Sequence, residues 1–148
     1  MIKEAIILAG GLGTRLRSVV PDVPKCLAPV AGKPFLYYVI AHLRKEGIRN
    51  FIFSVGYKNE AIIAFVNREL LSLGRQGLIN FQFSIEEQPL GTGGAIKLSG
   101  EKVSDHDIIV CNVYAYSLII FNKFPAVTFV TCTVTVFKYF DIAVTHRV

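Results

Sequence analysis

A short apolar segment that runs directly into a glycine cluster constrains the fold of this chain more than any other feature. Glu4–Ala9 has the sequence EAIILA, and Gly10, Gly11 and Gly13 follow it within four residues. An apolar run of this length that ends at glycine predicts a strand buried on both faces, as in parallel sheets. Glycines let backbone N–H groups approach an anion closely, and Arg15 adds a fixed positive charge. The segment therefore predicts a buried strand followed by an anion-binding loop.

Apolar strands and amphipathic helices alternate along the rest of the chain. The predicted strands are Glu4–Ala9, Phe51–Val55, Ile79–Ile85 and Asp107–Cys111. The predicted helices are one that Pro34 opens and Gly47 closes, one that Asn59 caps and Gly74 ends, and Thr92–Leu98. This alternation predicts an α/β fold with a doubly wound, mainly parallel sheet. Ligands bind at the carboxyl ends of such strands, so we expect the site in loops 10–33, 86–94 and 112–117.

Length, charge and cysteine usage exclude several classes of protein. The 148 residues fit one domain, and no apolar run approaches the roughly 18–20 residues that cross a bilayer. The three cysteines, Cys26, Cys111 and Cys132, are scattered and odd in number, which indicates reduced thiols and a cytoplasmic protein. Residues 1–102 contain 13 Lys+Arg and 8 Asp+Glu, the whole net charge of +5, without a basic run of five. We therefore expect neither a membrane nor a nucleic-acid partner.

Two familiar phosphate-binding motifs are absent from the first loop. A P-loop needs a Gly-Lys-Ser/Thr ending, which this loop lacks. The dinucleotide fingerprint needs a glycine where Leu16 stands and an acidic residue closing the second strand, where this chain has Val55-Gly56-Tyr57-Lys58. Downstream, Lys25 and Lys33 lie in a proline-stiffened segment that can aim a long cation. Each lysine taken alone is better explained as a solvated surface charge. Glycine amides, one Arg and one or two Lys above a parallel sheet together indicate a polyphosphate site.

Three longer segments carry a resemblance to a known family. They are LAGGLGTRL at 8–16, PKCLAPVAGKPFL at 24–36 and EEQPLGTGGA at 86–95. Together they resemble the sugar-1-phosphate nucleotidyltransferases, also called nucleotide-sugar pyrophosphorylases, and look most like guanylyltransferases acting on mannose- or heptose-1-phosphate. The resemblance implies a Rossmann-like domain that transfers a nucleoside monophosphate from an NTP, with GTP favoured, to a sugar 1-phosphate and releases pyrophosphate. In-line attack on the α-phosphorus makes catalysis mainly positioning and charge neutralisation.

The resemblance also assigns roles to residues of this chain. Arg15 and Lys25 would be catalytic, since Arg15 would hold the triphosphate and Lys25 would neutralise charge on the phosphoryl oxygens. The remaining nucleotide-binding positions lie in the two glycine loops and are Ala9, Gly10, Gly11, Gly13 and Thr14, followed by Glu86, Pro89, Gly91, Thr92 and Gly93. Glu86 or a backbone group would read the polar edge of the base. The alternative for Glu86-Glu87 is a solvated acidic pair.

The expected magnesium ligand is missing from the fourth strand. In the family this strand ends in Asn-Gly-Asp, whose aspartate binds Mg²⁺ between the phosphates, whereas this chain has Asn112-Val113-Tyr114. A phenol with a pKa of about 10 is neutral at pH 7 and a poor ligand for Mg²⁺. Asp105 and Asp107 are expected at the opposite end of the sheet. We therefore predict no metal ligand at Tyr114 and impaired turnover, with a non-catalytic nucleotide- or sugar-phosphate-binding module, or a regulatory partner, as the alternative.

The last third of the chain differs from the first two thirds. All 12 glycines lie at or before Gly100, so we treat 1–148 as one domain with a family-like part, 1–102, and a divergent tail, 103–148. Family members continue further, and the fold is expected to be incomplete at the C-terminus. The tail is either a genuine short variant or a truncated or frame-shifted continuation, and 130–136 alternates like a half-exposed strand. The base, the sugar and a homo-oligomeric state stay open.

Overall fold

The computed structural model describes residues 2–11, 23–56, 58–104, 107–113 and 117–122 of the chain. Within them lie strands of two to six residues, namely β1 Glu4–Leu8, β2 Pro29–Val30, β3 Lys33–Pro34, β4 Asn50–Val55, β5 Asn80–Ile85, β6 Asp107–Asn112 and β7 Ser117–Asn122. The same residues contain the helices α1 Phe35–Lys45, α2 Asn59–Arg75 and α3 Gly91–Gly100, and a 3-10 turn, Lys25–Leu27.

One five-stranded sheet in the order β5-β4-β1-β6-β7 organises the fold. β1 pairs in parallel with β4 on one side and with β6 on the other, and β4 pairs in parallel with β5. β7 runs antiparallel to β6, so the sheet is mixed at that edge. The predicted α/β fold with a mainly parallel sheet is confirmed, whereas β7 was not predicted. The predicted strand at 130–136 lies outside the described residues.

Helices α1 and α2 cover one face of the sheet with a large apolar cluster. Their inward residues include Leu36, Ile40, Leu43, Ile62, Val66 and Leu70. These side chains pack against Ala5, Ile7, Phe51, Phe53 and Val55, the alternate residues of β1 and β4. Because burying one large apolar side chain contributes roughly 1.5–3 kcal/mol, this cluster contributes more apolar stabilisation than the six-residue cluster on the other face.

Helix α3 covers the other face, where the apolar cluster is smaller and more polar groups are buried. The cluster consists of Ile6, Leu8, Ile52, Ala95, Ile108 and Val110. Beside it lie the buried side chains of Ser54, Ser84, Ser99 and Glu4. The Ser104 amide donates to Glu4 Oε2 at 3.0 Å and so connects the end of α3 to β1. The two faces therefore differ in polarity as well as in size.

Two local features depart from the sequence predictions. The residue at the N-cap of α2 is Lys58, in a left-handed conformation with φ 53° and without a side-chain capping bond, while the predicted cap, Asn59, is the first helical residue. β2 and β3 form a hairpin whose turn residues, Ala31 and Gly32, both have positive φ. Two-residue strands are too short to show periodicity, so the pattern did not reveal them.

The described cysteines are buried thiols. Cys26 and Cys111 are buried and form no disulfide with each other, and Cys132 lies outside the described residues. Loss of hydration in the core raises the pKa of Cys111 from 9.0 to about 12, so this thiol stays protonated at neutral pH. In the part of the chain that the structure covers, none of the helices has both the length and the apolar character that crossing a membrane requires.

Candidate functional site

A cleft of about 270 Å³ opens at the carboxyl ends of β1, β5 and β6. Its walls come from the first glycine loop, the loop after β5, the start of α3 and the end of β6. The lining residues are Leu8, Gly10, Gly11, Glu86, Pro89, Gly91, Thr92, Ala95 and Asn112. Topology predicts a ligand site at this edge of the sheet, where several parallel strands end together. The cleft brings together six of the residues that the sequence analysis selected.

A close backbone approach shapes the floor of this cleft at Gly10. A Cβ added there would lie 2.8 Å from Glu86 Oε1 and 3.0 Å from the Gly56 nitrogen. At Gly56 an added Cβ would lie 3.1 Å from the Gly10 oxygen. The loops after β1 and β4 can therefore approach this closely only because neither position carries a side chain.

The Glu86 carboxylate is fixed in the wall of the cleft by two hydrogen bonds. Ser54 Oγ donates to Oε1 at 3.0 Å, and the Leu90 amide donates to Oε2 at 3.2 Å. An ionised carboxylate accepts about four hydrogen bonds, so each oxygen keeps acceptor capacity for a ligand. Glu86 also borders a second cleft of about 570 Å³ that Gly56, Asn59 and Ile85 help to line. It is a fixed, acceptor-only group between two clefts.

The start of α3 supplies the facing wall. Gly91 begins the helix with φ +68°, a conformation that side chains rarely adopt, which explains a glycine at this position. Thr92 lines the cleft beside it. Gly93 lies in the same helical turn but does not line the cleft, and a Cβ added there would meet nothing within 4 Å.

The other predicted site residues lie at varying distances from the cleft. Ala9 is buried beneath the first loop, and its amide donates to the Ser54 carbonyl at 2.8 Å. Lys25 begins the 3-10 turn, is half-buried and does not line the cleft. Gly13, Thr14 and Arg15 lie outside the described residues. The triphosphate-binding half of the hypothesis therefore stays a prediction.

Lys33, the second basic residue of the proline-stiffened segment, contacts an aromatic ring. Its Nζ lies 3.9 Å from the centre of the Tyr37 ring, and the side-chain interaction with Tyr37 is the main cause that raises the pKa of Lys33. Tyr38 Oη, on α1, donates to the Ala31 carbonyl in the turn of the β2–β3 hairpin at 3.3 Å. Lys33 thus has a local role in the hairpin, beside α1.

The cleft residues do not fit the magnesium site that the family resemblance implies. No group of three potential ligands among His, Cys, Asp and Glu occurs in the described ranges. The cleft offers one carboxylate, Glu86, already bonded to two protein donors, and one amide, Asn112. Mg²⁺ in nucleotide sites is usually held by one or two carboxylates together with waters and substrate phosphates, and among the described residues the cleft offers no carboxylate besides Glu86, which two protein donors already orient. Asp107 begins β6 and lies at the opposite end of the sheet, as predicted, while Tyr114 lies outside the described residues.

Three contributors to the site were not selected from the sequence. Leu8 and Ala95 provide apolar walls, and Ser54 fixes Glu86. Leu8 lies two residues before Gly10 and Ala95 lies four residues after Gly91. Strand and helix periodicity therefore place each of them on the same face as a residue that was selected. Ser54 offered a weaker signal, a single polar residue late in an apolar strand.

Comparisons with known proteins agree with this geometry. The model of the nucleotidyl transferase family matches residues 4–126. The D-glycero-alpha-D-manno-heptose 1-phosphate guanylyltransferase of Aneurinibacillus thermoaerophilus is 47% identical over 109 residues, covering 74% of this chain and 45% of the relative. The enzyme of the same name from Campylobacter jejuni is 49% identical over 94 residues, or 64% of this chain and 40% of the relative. Mannose-1-phosphate guanyltransferases match at lower identity.

A solved structure supports the same relationship. HddC from Yersinia pseudotuberculosis complexed with GMP-PN superposes with a TM-score of 0.64 and 40% identity, covering 76% of this chain and 48% of that chain. The chain thus spans less than half the length of these three relatives. This chain therefore belongs to the nucleotidyl transferase family, because the family model matches residues 4–126, relatives are 47–49% identical and the fold is shared.

Proposed function

We propose that this chain is the nucleotide-binding part of a sugar-1-phosphate guanylyltransferase. Its reaction would transfer GMP from GTP to a sugar 1-phosphate, with heptose- or mannose-1-phosphate favoured, and release pyrophosphate. The names of the relatives and the GMP-PN bound to the Yersinia protein support this substrate class. The observation that carries the proposal is the Glu86 carboxylate, fixed in the wall of the cleft.

The chemistry of Glu86 favours guanine over the other bases. Guanine presents two adjacent donors, N1–H and the 2-amino group, on its Watson–Crick edge, and a carboxylate can accept both. Adenine places an acceptor beside its single donor group, and a carboxylate cannot donate to it. Leu8, Pro89 and Ala95 offer apolar contact to the faces of the base. A purine that stacks on these walls could direct its donor edge at Glu86.

The triphosphate would extend from this cleft along the first glycine loop. Gly11 lines the cleft at the point where the loop begins. We propose that the loop amides and Arg15 bind the phosphates, and that Lys25 neutralises charge as the bond to pyrophosphate breaks. The sugar phosphate oxygen would attack the α-phosphorus in line, so these residues would orient the phosphates and stabilise charge.

The activity is tested by measuring pyrophosphate release and nucleotide binding separately. The protein is incubated with Mg²⁺, each of the four NTPs, and mannose- or heptose-1-phosphate. We expect GTP to bind with higher affinity than the other NTPs, and Arg15→Ala to weaken GTP binding roughly 10- to 100-fold because a charge-assisted contact is lost. Arg68→Ala is the matched control, since Arg68 is 70% exposed, forms an ion pair with its neighbour Glu69 and does not line the cleft. Equal binding of all four NTPs would contradict the proposal.

A second candidate function follows from Tyr114, which occupies the position of the family's metal aspartate. A non-catalytic module that binds GTP or a sugar phosphate, or a regulatory partner of an active homologue, would bind nucleotide without releasing pyrophosphate. Tyr114→Asp distinguishes the two. A gain in pyrophosphate release without a change in GTP affinity would identify the tyrosine as the obstacle to turnover.

We also propose a cytoplasmic location. The described thiols, Cys26 and Cys111, are buried and form no disulfide with each other, which suits a reducing compartment. Trapping the thiols with an alkylating reagent during cell lysis and counting the modified cysteines after unfolding tests this. Cysteines that resist alkylation until a reductant is added would contradict it.

A further inference from the structure

The buried hydroxyl of Ser54 contacts Glu86, a residue of the cleft wall. Ser54 lies near the carboxyl end of β4, is 0% exposed and donates to Glu86 Oε1 at 3.0 Å. Strand pairing explains the contact, because Ser54 is level with Ser84 on β5 and Glu86 lies two residues beyond Ser84, on the same face. One orientation of the Glu86 carboxylate is thus favoured by a residue 32 positions earlier in the chain.

The remaining contacts leave the carboxylate few alternative orientations. The Leu90 amide donates to Oε2 at 3.2 Å, and an added Cβ at Gly10 would lie 2.8 Å from Oε1. Oε1 therefore lies close to the backbone of the first loop on one side and to the Ser54 hydroxyl on another. Loss of the Ser54 bond would leave the amide of Leu90, in an exposed loop, as the one donor to Glu86 among the described residues.

We propose that Ser54 is a positioning residue for base selection, which acts by fixing the carboxylate plane of Glu86 toward the donor edge of guanine. The inference rests on the proposed function. Two donors on a planar base require two acceptors in one plane, so rotation of the carboxylate weakens guanine binding more than the binding of a base that makes no such pair. Ser54 would therefore affect the preference for GTP and not the binding of triphosphates in general.

The chain offers a matched control in Ser84. Ser84 is the register partner of Ser54 on β5, is 1% exposed, and its hydroxyl has no hydrogen-bond partner within the described residues. Ser54→Ala and Ser84→Ala remove the same atom from neighbouring positions on one face of the sheet. They differ in that only Ser54 bonds to Glu86.

The experiment measures the equilibrium affinities of the full chain for GTP and ATP. We expect Ser54→Ala to weaken GTP binding about 10-fold, as for a lost hydrogen bond to a charged group, with ATP binding unchanged. Ser84→Ala should keep both affinities. Ser54→Cys, which fills the volume with a weaker donor, should give an intermediate GTP/ATP ratio and guards against loss of folding in the alanine variant. Thermal unfolding of each variant verifies that it is folded.

A double-mutant cycle separates positioning from a general structural role. In a Glu86→Ala background, Ser54→Ala should leave the GTP/ATP ratio unchanged, because the group through which it acts is gone. A preserved ratio in Ser54→Ala alone, or an equal loss in Ser84→Ala, would overturn the inference while the proposed function stands. A wild-type chain that binds neither nucleotide would overturn the proposed function and the inference with it.

Discussion

The face of the sheet under α1 and α2 and the face under α3 bury different kinds of side chain. The face under α1 and α2 packs aliphatic and aromatic side chains, with the Phe53 ring 6.2 Å from Phe51 and 5.8 Å from Phe83 between centroids. The face under α3 has a small apolar cluster, and Ser84 and Ser99 on it are buried without hydrogen-bond partners in the described part of the chain. The face that leads into the cleft therefore has less apolar packing and more buried polar groups, and such groups can orient a ligand.

The largest expected effect is a loss of stability on the apolar face. Phe53→Ala removes a fully buried ring and should lower the free energy of unfolding by about 3–5 kcal/mol. Ser99→Ala on the other face should change it by less than about 1 kcal/mol, since it removes an unpartnered hydroxyl. Urea unfolding of both variants measures the contrast. Equal losses would show that the two faces contribute alike.

The second effect concerns Gly10, where the polar face reaches the cleft. Gly10→Ala places a Cβ 2.8 Å from Glu86 Oε1 and 3.0 Å from the Gly56 nitrogen. The carboxylate can move away and the backbone cannot, so we expect about 1–3 kcal/mol of destabilisation and a loss of GTP affinity. Gly100→Ala is the control, because its added Cβ meets nothing within 4 Å. Unchanged GTP affinity in a folded Gly10→Ala protein would argue against this cleft as the nucleotide site.

A smaller effect is the pH dependence of the unfolding free energy that Cys111, on the apolar face, should produce. Burial raises the pKa of this thiol from 9.0 to about 12, so above pH 9 the unfolded chain loses the proton that the folded chain keeps. Stability is therefore retained below pH 9 and falls as the pH rises toward 12. Between pH 9 and 10 the wild type should lose about 1 kcal/mol more than Cys111→Ala. Chemical unfolding of both proteins at the two pH values measures the difference, and identical pH slopes would refute it.

The smallest expected effect is a gain at Gly93. Gly93→Ala should stabilise α3 by about 0.5–1 kcal/mol, because alanine is the better helix former and the added Cβ meets nothing within 4 Å. Gly91→Ala should instead destabilise, because Gly91 has φ +68°. Nucleotide titration of the Gly93 variant then tests the role that the family resemblance gives this residue. Weakened GTP binding in a more stable protein would mean that the bound nucleotide needs the space beside Gly93.

Most of the sheet could be predicted because its strands are continuous apolar runs. The predicted Glu4–Ala9 and Asp107–Cys111 agree with β1 Glu4–Leu8 and β6 Asp107–Asn112 to within one residue. Such runs can be identified from a short stretch of sequence, because a strand buried on both faces is apolar at nearly every position. β7 is different, since it is an edge strand whose existence depends on antiparallel pairing with β6, and that pairing is a tertiary choice.

The glycines and Glu86 of the candidate site could be predicted, but the hydrogen bond that orients Glu86 could not. Gly10, Glu86 and Gly91 stand in spaced motifs that sequence alone reveals. The bond from Ser54 to Glu86 requires the register between β4 and β5, which hydrophobic periodicity leaves free by two residues in either direction. The capping of α2 by Lys58 in a left-handed conformation depends likewise on how the chain leaves β4.

The hydrogen bond between Ser54 and Glu86 also has a consequence for engineering. The segment 86–94 is short, contiguous and exposed over much of its length, which makes it an obvious unit to graft between related enzymes to exchange their nucleotide preference. The donor that orients its carboxylate is on β4, outside any such graft. A transplanted loop would need a hydroxyl at position 54 of the recipient as well, and grafts that omit it should bind nucleotide with reduced discrimination between bases.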